Sequence, residues 1–238
     1  MTMRVVLLTL AVVVFGSSTA VAQVPHPNFA GVYMPSVFVG SPTVVGPDVF
    51  PLTDAGQVRV DAFSEFDEPN QADDCAPSGM PNLLWHGTAM QVSENEGDLV
   101  FHYERGNTIR SISMDSEPAP SSHPVTPVGY STGRWEGSSL VIETTHLAGR
   151  SVRNNHAQPL SDEATLTERY WREPGSNDLN LELTIVDPVY YTEPFTMSRD
   201  HLEFSADGAL QDWVCVSLGS RDGEELDIDE LARMLEEL

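Results

Sequence analysis

The chain has 238 residues, of which 36 are Asp or Glu and only 12 are Lys or Arg, so its formal charge is -24. Every basic residue is an arginine. Such a charge repels phosphate and therefore excludes direct binding to nucleic acid or to an anionic lipid surface. The length and the 40% hydrophobic content suit one domain with a buried core, while two cysteines are too few for a disulfide-rich miniprotein.

The first 22 residues have the pattern of a secretory signal peptide. Arg4 precedes an apolar run over residues 5–15, and small residues end at Ala22, which predicts cleavage before Gln23. The run is well short of the roughly 20 residues that a membrane-spanning helix needs. We therefore expect a protein of the periplasm or a secreted protein, with no membrane attachment after cleavage.

The two cysteines, Cys75 and Cys215, lie near opposite ends of the expected mature chain. An exported protein folds in an oxidising compartment, so we expect one structural disulfide between them. A metal site or a nucleophile pair would need further partners at a suitable spacing, and the sequence shows none.

The first part of the mature chain predicts a strand, a short helix and a loop. The strand is predicted over residues 29–34. The helix is predicted over residues 52–66, because Thr53 and Asp54 can cap its start and Pro69 stops it. The loop over residues 68–81 is rich in Asp, Asn, Pro and Gly.

From residue 83 onwards the pattern changes to short β-type runs bounded by turn residues. These runs cover residues 83–93, 98–104, 108–114, 129–135, 140–146, 164–171, 179–186, 195–204 and 213–217. Short turns separate most of them, which predicts an all-β domain over residues 23–222. Its fold is expected to be an antiparallel meander that closes into a calycin-like barrel and so removes its edges.

Residues 223–238 predict an acidic amphipathic helix at the C-terminus. Its apolar stripe consists of Ile228, Leu231, Leu235 and Leu238, with acids on most other positions. Two roles stay open for this helix. It can close one end of the barrel, or it can pair with a partner or with a second copy, which would give a homo-oligomer.

Five motifs spread over residues 29–217 carry a resemblance to a known family. They are P-L-T-D-A-G-Q at 51–57, C-A-P-S-G-M-P at 75–81, G-Y-S-T-G-R-W-E-G with L-V-I-E-T at 129–144, S-D-E-A-T-L-T-E-R at 161–169 and D-P-V-Y-Y-T-E-P-F at 187–195. In this order and spacing the chain resembles a large group of uncharacterised secreted bacterial proteins. The resemblance brings no activity with it. Members often carry histidines where Leu160 and Thr165 stand here, so no role of those histidines can be carried over.

The hairpin over residues 129–146 holds most of the candidate catalytic residues. If Trp135 opposes Ser139 across its turn, then Ser131 opposes Glu143 on one face. The other face then carries Tyr130, Arg134, Ile142, Thr144 and His146. Which of the two faces points into the barrel stays open.

The strand over residues 164–171 is predicted to turn Glu168 inward, because its apolar residues share that face. A buried carboxylate must be paired or must have a raised pKa. In one interpretation Glu168 forms a buried pair with Arg134 and accepts a hydrogen bond from Tyr130. In the other, Glu168 or Glu143 is a general base with an acid partner acting on a ligand in the barrel. The candidate acids are Tyr130 and His146.

The candidate ligand-binding residues are Arg134 and three aromatic residues, Trp85, Trp135 and Tyr170, which can line a pocket. No metal or other cofactor is expected, because the seven histidines form no metal-binding motif and no phosphate or dinucleotide loop occurs. The written form G-x-S-x-G at 129–133 lies in a predicted strand, whereas a hydrolase nucleophile needs a strand-to-helix turn.

Three functions follow from these patterns. The preferred one is an exported β-barrel protein that binds a small, partly apolar molecule. The second is a cofactor-independent hydrolase, lyase or isomerase that uses a buried Glu with Tyr, Arg or His. The third is an envelope interaction module that acts through the C-terminal helix.

Overall fold

The computed structural model describes residues 26–35, 44–63, 79–115, 117–153 and 157–215. The predicted signal peptide, the predicted C-terminal helix over 223–238 and Cys75 lie outside these residues, so the leader, the helix and the disulfide to Cys215 stay predictions. Within the described ranges, no helix is both long enough and apolar enough to cross a bilayer.

The described residues form a closed barrel of nine strands. The strands are β1 (Gly31–Pro35), β2 (Met90–Asn95), β3 (Asp98–Tyr103), β4 (Thr108–Ser113), β5 (Tyr130–Glu136), β6 (Ser139–Thr145), β7 (Thr165–Trp171), β8 (Leu179–Val186) and β9 (Phe195–Ser205). They pair in sequence order, and β9 returns to pair with β1. This confirms the predicted β-barrel.

One neighbouring pair, β4 with β5, is parallel, which corrects the prediction of a purely antiparallel meander. Every other neighbouring pair is antiparallel. The reason is geometric. Strand direction cannot alternate all the way round a closed ring with an odd number of strands, so at least one pair must run the same way. The connection over residues 114–129 makes that crossover.

Three predicted elements differ from the structure. The helix predicted over 52–66 is shorter in the structure, where α1 spans Asp54–Asp61 and follows the N-cap Thr53. Only Gly56 of this helix is buried, so it has no apolar face that would pack a longer helix against the barrel. The run over 83–93 begins as a 3-10 helix, Asn82–Trp85, here named the cap helix, and only its second half is a strand. The run over 213–217 is not a strand in its described part, residues 213–215.

The core fills the inside of the barrel. Strand β8 shows it most clearly, since Leu179, Leu181, Leu183 and Ile185 are all fully buried. The inward residues of the other strands are also mainly apolar. Polar side chains interrupt this lining at two places, one in the middle of the barrel and one near the cap helix.

Candidate functional site

A buried ion pair crosses the middle of the barrel. Arg110 of β4 donates to both carboxylate oxygens of Glu168 on β7, from Nη1 at 3.0 Å and from Nη2 at 2.6 Å. Both side chains are almost completely buried. Burial opposes the charge on Arg110, but the attraction and hydrogen bonds of Glu168 outweigh it and raise the pKa of the guanidinium.

Hydroxyl groups on the strands between them complete this cluster. Ser131 of β5 accepts from Arg110 Nε at 2.9 Å, and Thr144 of β6 accepts from Nη2 at 2.6 Å. Tyr170 donates its hydroxyl hydrogen to Glu168 Oε2 at 2.9 Å. Glu168 therefore accepts three hydrogen bonds and faces a permanent cation. This arrangement is that of a structural carboxylate, since the adjacent guanidinium favours its charged form over a protonated one.

The predicted partner of Glu168, Arg134, was wrong, and the turn of this hairpin is one residue shorter than predicted. Glu136 opposes Ser139 across a two-residue turn, so Ser131 opposes Thr144 and Arg134 opposes Val141. A shift of one residue moves each side chain to the other face of a strand.

Arg134 and Glu143 consequently lie on the outside of the barrel. They form an exposed ion pair at 2.7 Å, with about half of each side chain accessible. The hydrogen bond from Arg134 to Glu143 raises the pKa of the arginine. The structure therefore places neither Glu143 nor Arg134 beside Glu168.

Tyr130 and His146, the candidate acids, also lie outside the lumen. They meet each other through His123, whose ring lies 4.9 Å from that of Tyr130 and 5.6 Å from that of His146. Tyr130 alternates with the inward Ser131, so its side chain is on the outer face of β5. The structure thus brings Tyr130 and His146 together around His123 but separates both of them from the buried carboxylate of Glu168.

The candidate aromatic residues divide between three places. Trp135 stacks on His26 at 4.3 Å and lines an outer groove of about 140 Å³. Trp85 is half-buried in the cap helix. Tyr170 alone lines the cavity beneath that helix.

The cavity beneath the cap helix is the best candidate site in the described part of the chain. Its volume is about 20 Å³, enough for one water-sized group, and it is open on one side. Two rows of paired residues form its walls: Tyr33, Met90 and Tyr103 on β1 to β3, and Tyr170, Leu181 and Arg199 on β7 to β9. Leu83, Leu84 and His86 cover it from the cap side.

Arg199 is the most unusual residue of this cavity. It is 8% exposed, and its Nη1 donates to the carbonyl oxygens of Leu84 at 2.8 Å and His86 at 2.9 Å. No described carboxylate lies within ion-pair distance of it. Burial lowers its pKa. Burying a cation without a counter-ion costs desolvation free energy, so an anion bound beside Arg199 would stabilise its charge.

Two further polar groups of the cavity lack partners within the described residues. The hydroxyl of Tyr103 is buried and makes no hydrogen bond, and neither does Nε2 of His86. Burial raises the pKa of Tyr103 to about 12, so it is a neutral donor at pH 7. Burial, with Arg105 and Arg199 nearby, lowers the pKa of His86 to about 4, so this imidazole is neutral as well.

The sequence did contain a signal for Arg110, although it was missed. The turn over 104–107 pairs Tyr103 with Thr108 and Phe101 with Arg110. Since Phe101 faces inward, Arg110 must do so too. Arg199 offered no such signal, because a bulge between β8 and β9 shifts the register beside it.

Three comparisons with known proteins, against family models, curated proteins and solved structures, gave no match. The resemblance to the secreted bacterial group therefore stays a prediction. Among the described residues, no three side chains of His, Cys, Asp and Glu come together in a way that could hold a metal ion.

Proposed function

We propose that this chain is an exported barrel protein that binds a small, partly apolar molecule at the end of the barrel beneath the cap helix. The observation that carries the proposal is the cavity itself, in which the buried hydroxyl of Tyr103 and Nε2 of His86 have no hydrogen-bond partner within the described residues. Natural proteins satisfy nearly all buried polar groups, so a hydrogen-bonding group bound in the cavity would complement Tyr103 and His86.

The shape and chemistry of the cavity support a ligand with a polar head and an apolar body. Tyr103 and Arg199 contribute polar groups to its lining, and Leu83, Leu84 and Leu202 belong to its apolar lining. The enclosed volume fits a head group only. The body of the ligand would therefore extend out of the open side of the cavity, beside the cap helix.

The signal peptide and the single disulfide belong to the same proposal. An oxidising compartment would keep Cys75 and Cys215 joined, and Cys75 precedes the cap helix by only a few residues in the sequence. A covalent link at that point would hold the cap in place over the cavity.

The experiment is native mass spectrometry of residues 23–238 purified from a periplasm, compared with the mass after denaturation. We expect a bound molecule that denaturation releases, and loss of 2 Da in the protein mass for one disulfide relative to the reduced chain, about the mass of two hydrogens. Thr88→Phe, which places a ring at the half-buried cavity wall, should abolish the extra mass. Thr167→Phe, on the outer face of β7, is the matched control and should retain it.

A bare wild-type protein that also shows no thermal shift with a panel of small amphiphiles would overturn the binding proposal. Extra mass that survives in Thr88→Phe would place the ligand elsewhere. Deleting residues 224–238 tests the third hypothesis separately, because loss of self-association or partner binding would follow only if the C-terminal helix makes that contact.

A further inference from the structure

We propose that the outer groove at Trp135 is a second binding site and that its ligand is a guanidinium group, stacked on the indole of Trp135 and paired with the carboxylate of Glu94. This inference goes beyond the proposed function, because the outer groove and the cavity beneath the cap helix share no lining residue. It follows from the place of the groove in the barrel, from a ring stack inside it and from its charge.

The outer groove lies at the end of the barrel opposite the cap helix. The cap helix leads into the start of β2, whereas the groove is lined by Glu94 near the end of β2 and by Trp135 near the end of β5. These two strands run in the same direction, since β3 reverses the chain, β4 reverses it again and β5 is parallel to β4. Glu94 and Trp135 therefore meet at one rim of the barrel.

Both side chains lie on the inner face of the barrel wall at this rim. Because side chains two residues apart in a strand share a face, Glu94 lies on the face of the buried Val92. Trp135 likewise lies on the face of the buried Gly133. The groove that they line has a volume of about 140 Å³, several times what one water molecule needs. It has room for a head group of several atoms.

A ring stack in the outer groove shows what kind of group Trp135 accepts. The imidazole of His26 lies flat on the indole, with ring centroids 4.3 Å apart and 8° between the planes. Phe29 is buried and packs edge-on against the same indole at 5.0 Å, which fixes the indole. His26 is exposed, and within the described residues its side chain donates one hydrogen bond, to the carbonyl oxygen of Pro27 next to it. A planar group with a stronger attraction to the groove can therefore replace this imidazole.

The charge of the outer groove favours a cation. Glu94 is exposed, and no described cation forms an ion pair with it. The formal charge of -24 adds a general attraction for cations. Arg172 is a cation beside this rim, but its guanidinium lies over the ring of Phe29 at 5.1 Å and donates to the carbonyl oxygen of Asn28. It is not part of the groove lining and leaves Glu94 without a counter-ion.

A guanidinium group satisfies both the ring and the charge. It is planar, so it can stack on the indole in place of the imidazole, and it is always charged. Its parallel N–H donors match the two oxygens of a carboxylate such as that of Glu94. The chain itself makes both contacts elsewhere, since Arg105 lies over Trp213 at 5.3 Å and Arg110 donates to both oxygens of Glu168. A quaternary ammonium has the charge but neither the plane nor the donors.

The test is a heteronuclear NMR titration of residues 23–238, followed at the indole N–H signal that is missing from Trp135→Phe. The ligand is methylguanidinium chloride. Methylurea has the same shape without the charge, and tetramethylammonium chloride has the charge without the plane, so both are matched controls. Because both contacts are exposed to water, we expect a Kd of about 1–10 mM for methylguanidinium. The two controls should bind at least about fivefold more weakly.

Two variants should change this affinity in opposite directions. His26→Ala removes the imidazole that covers the indole, so the affinity for methylguanidinium should rise about two- to tenfold. Glu94→Gln removes the counter-charge, so the affinity should fall about two- to fivefold. Both residues are exposed, so neither change should impair folding. Glu203→Gln is the matched control, since Glu203 is an exposed glutamate outside the groove lining, and it should change the affinity little.

The amide of acetyl-arginine distinguishes two sources of the guanidinium group. Binding at least as tight as that of methylguanidinium assigns the outer groove to an arginine side chain of a polypeptide, whereas binding of methylguanidinium alone assigns it to a free guanidino compound. Equal binding of methylguanidinium and methylurea overturns the inference. Weaker binding in His26→Ala, unchanged affinity in Glu94→Gln, or a Trp135 signal that methylguanidinium does not shift overturns it as well.

Discussion

Glu168 accepts three hydrogen bonds inside the barrel, two from Arg110 and one from Tyr170. Replacing it with Gln keeps the shape but leaves Arg110 as an uncompensated charge inside the barrel. We expect Glu168→Gln to lower the free energy of unfolding by about 3–5 kcal/mol, measured by urea titration at pH 7. Tyr170 would also lose a charged acceptor.

The matched control is Glu143→Gln, which breaks an ion pair of the same type on the outer face. Because water screens exposed pairs, this change should cost no more than about 1 kcal/mol. A loss below about 1 kcal/mol for Glu168→Gln as well would mean that the buried pair is not structural, contrary to the geometry. Glu168 would then regain its place as a candidate base.

The sequence predicted the position of Glu168 correctly but not its partner. Alternation along one strand is local, so the inward direction of Glu168 follows from its own neighbours. Its partner lies three strands away in the barrel, on β4, and depends on the register of every pair between them. The β3–β4 register turns Arg110 inward opposite Phe101, whereas the outward face of β5 carries Arg134.

At the scale of elements, the barrel closes at the parallel seam between β4 and β5, where only two residue pairs are in register. Gly133 of β5 lies at this seam. A Cβ built there would come within 2.6 Å of Met114 Sδ and 2.8 Å of Ile112 Cγ2, so the two strands approach closely because this position is glycine.

Gly133→Ala should therefore destabilise the protein, by about 1–3 kcal/mol, because Ile112 is fully buried and cannot move aside freely. The measurement is the urea midpoint, read together with the m-value. Thr132→Ala, one position away on the outer face, serves as the control and should change the midpoint little. If Gly133→Ala is as stable as the wild type, the seam is looser than its packing indicates.

The parallel seam also shows why the topology was only partly predictable. Counting the first strand with the nine β-type runs gives ten strands, and an even ring can be antiparallel throughout. The described part of the last run, residues 213–215, is not a strand; instead Trp213 lies beneath the guanidinium of Arg105, 5.3 Å from it. Removing that strand leaves nine, and an odd ring requires a parallel pair. One short run near the C-terminus thus decided the direction of strands far from it.

At the scale of the whole molecule, the dominant feature is a formal charge of -24 on a chain of 238 residues. Self-repulsion of this kind destabilises the folded state, because unfolding moves like charges apart. Salt shortens the screening length from about 10 Å at 0.1 M to about 3 Å at 1 M. The buried pair of Arg110 and Glu168 is shielded from solvent and should be affected little.

We therefore expect the urea midpoint at pH 7 to rise as sodium chloride increases from about 0.01 to about 0.5 M, with an unchanged m-value. Urea is the suitable denaturant because it carries no charge. Exposed ion pairs such as Arg134 with Glu143 are weakened by the same salt, but each contributes at most about 1 kcal/mol, and acids outnumber bases three to one.

The double variant Glu94→Gln with Glu203→Gln separates repulsion from other effects of salt. Both side chains are exposed, and no described cation forms an ion pair with either. Removing their charges should raise the midpoint at low salt and flatten the rise, since less repulsion is left to screen. A midpoint that falls with salt in the wild type would instead mean that surface ion pairs outweigh repulsion in this barrel.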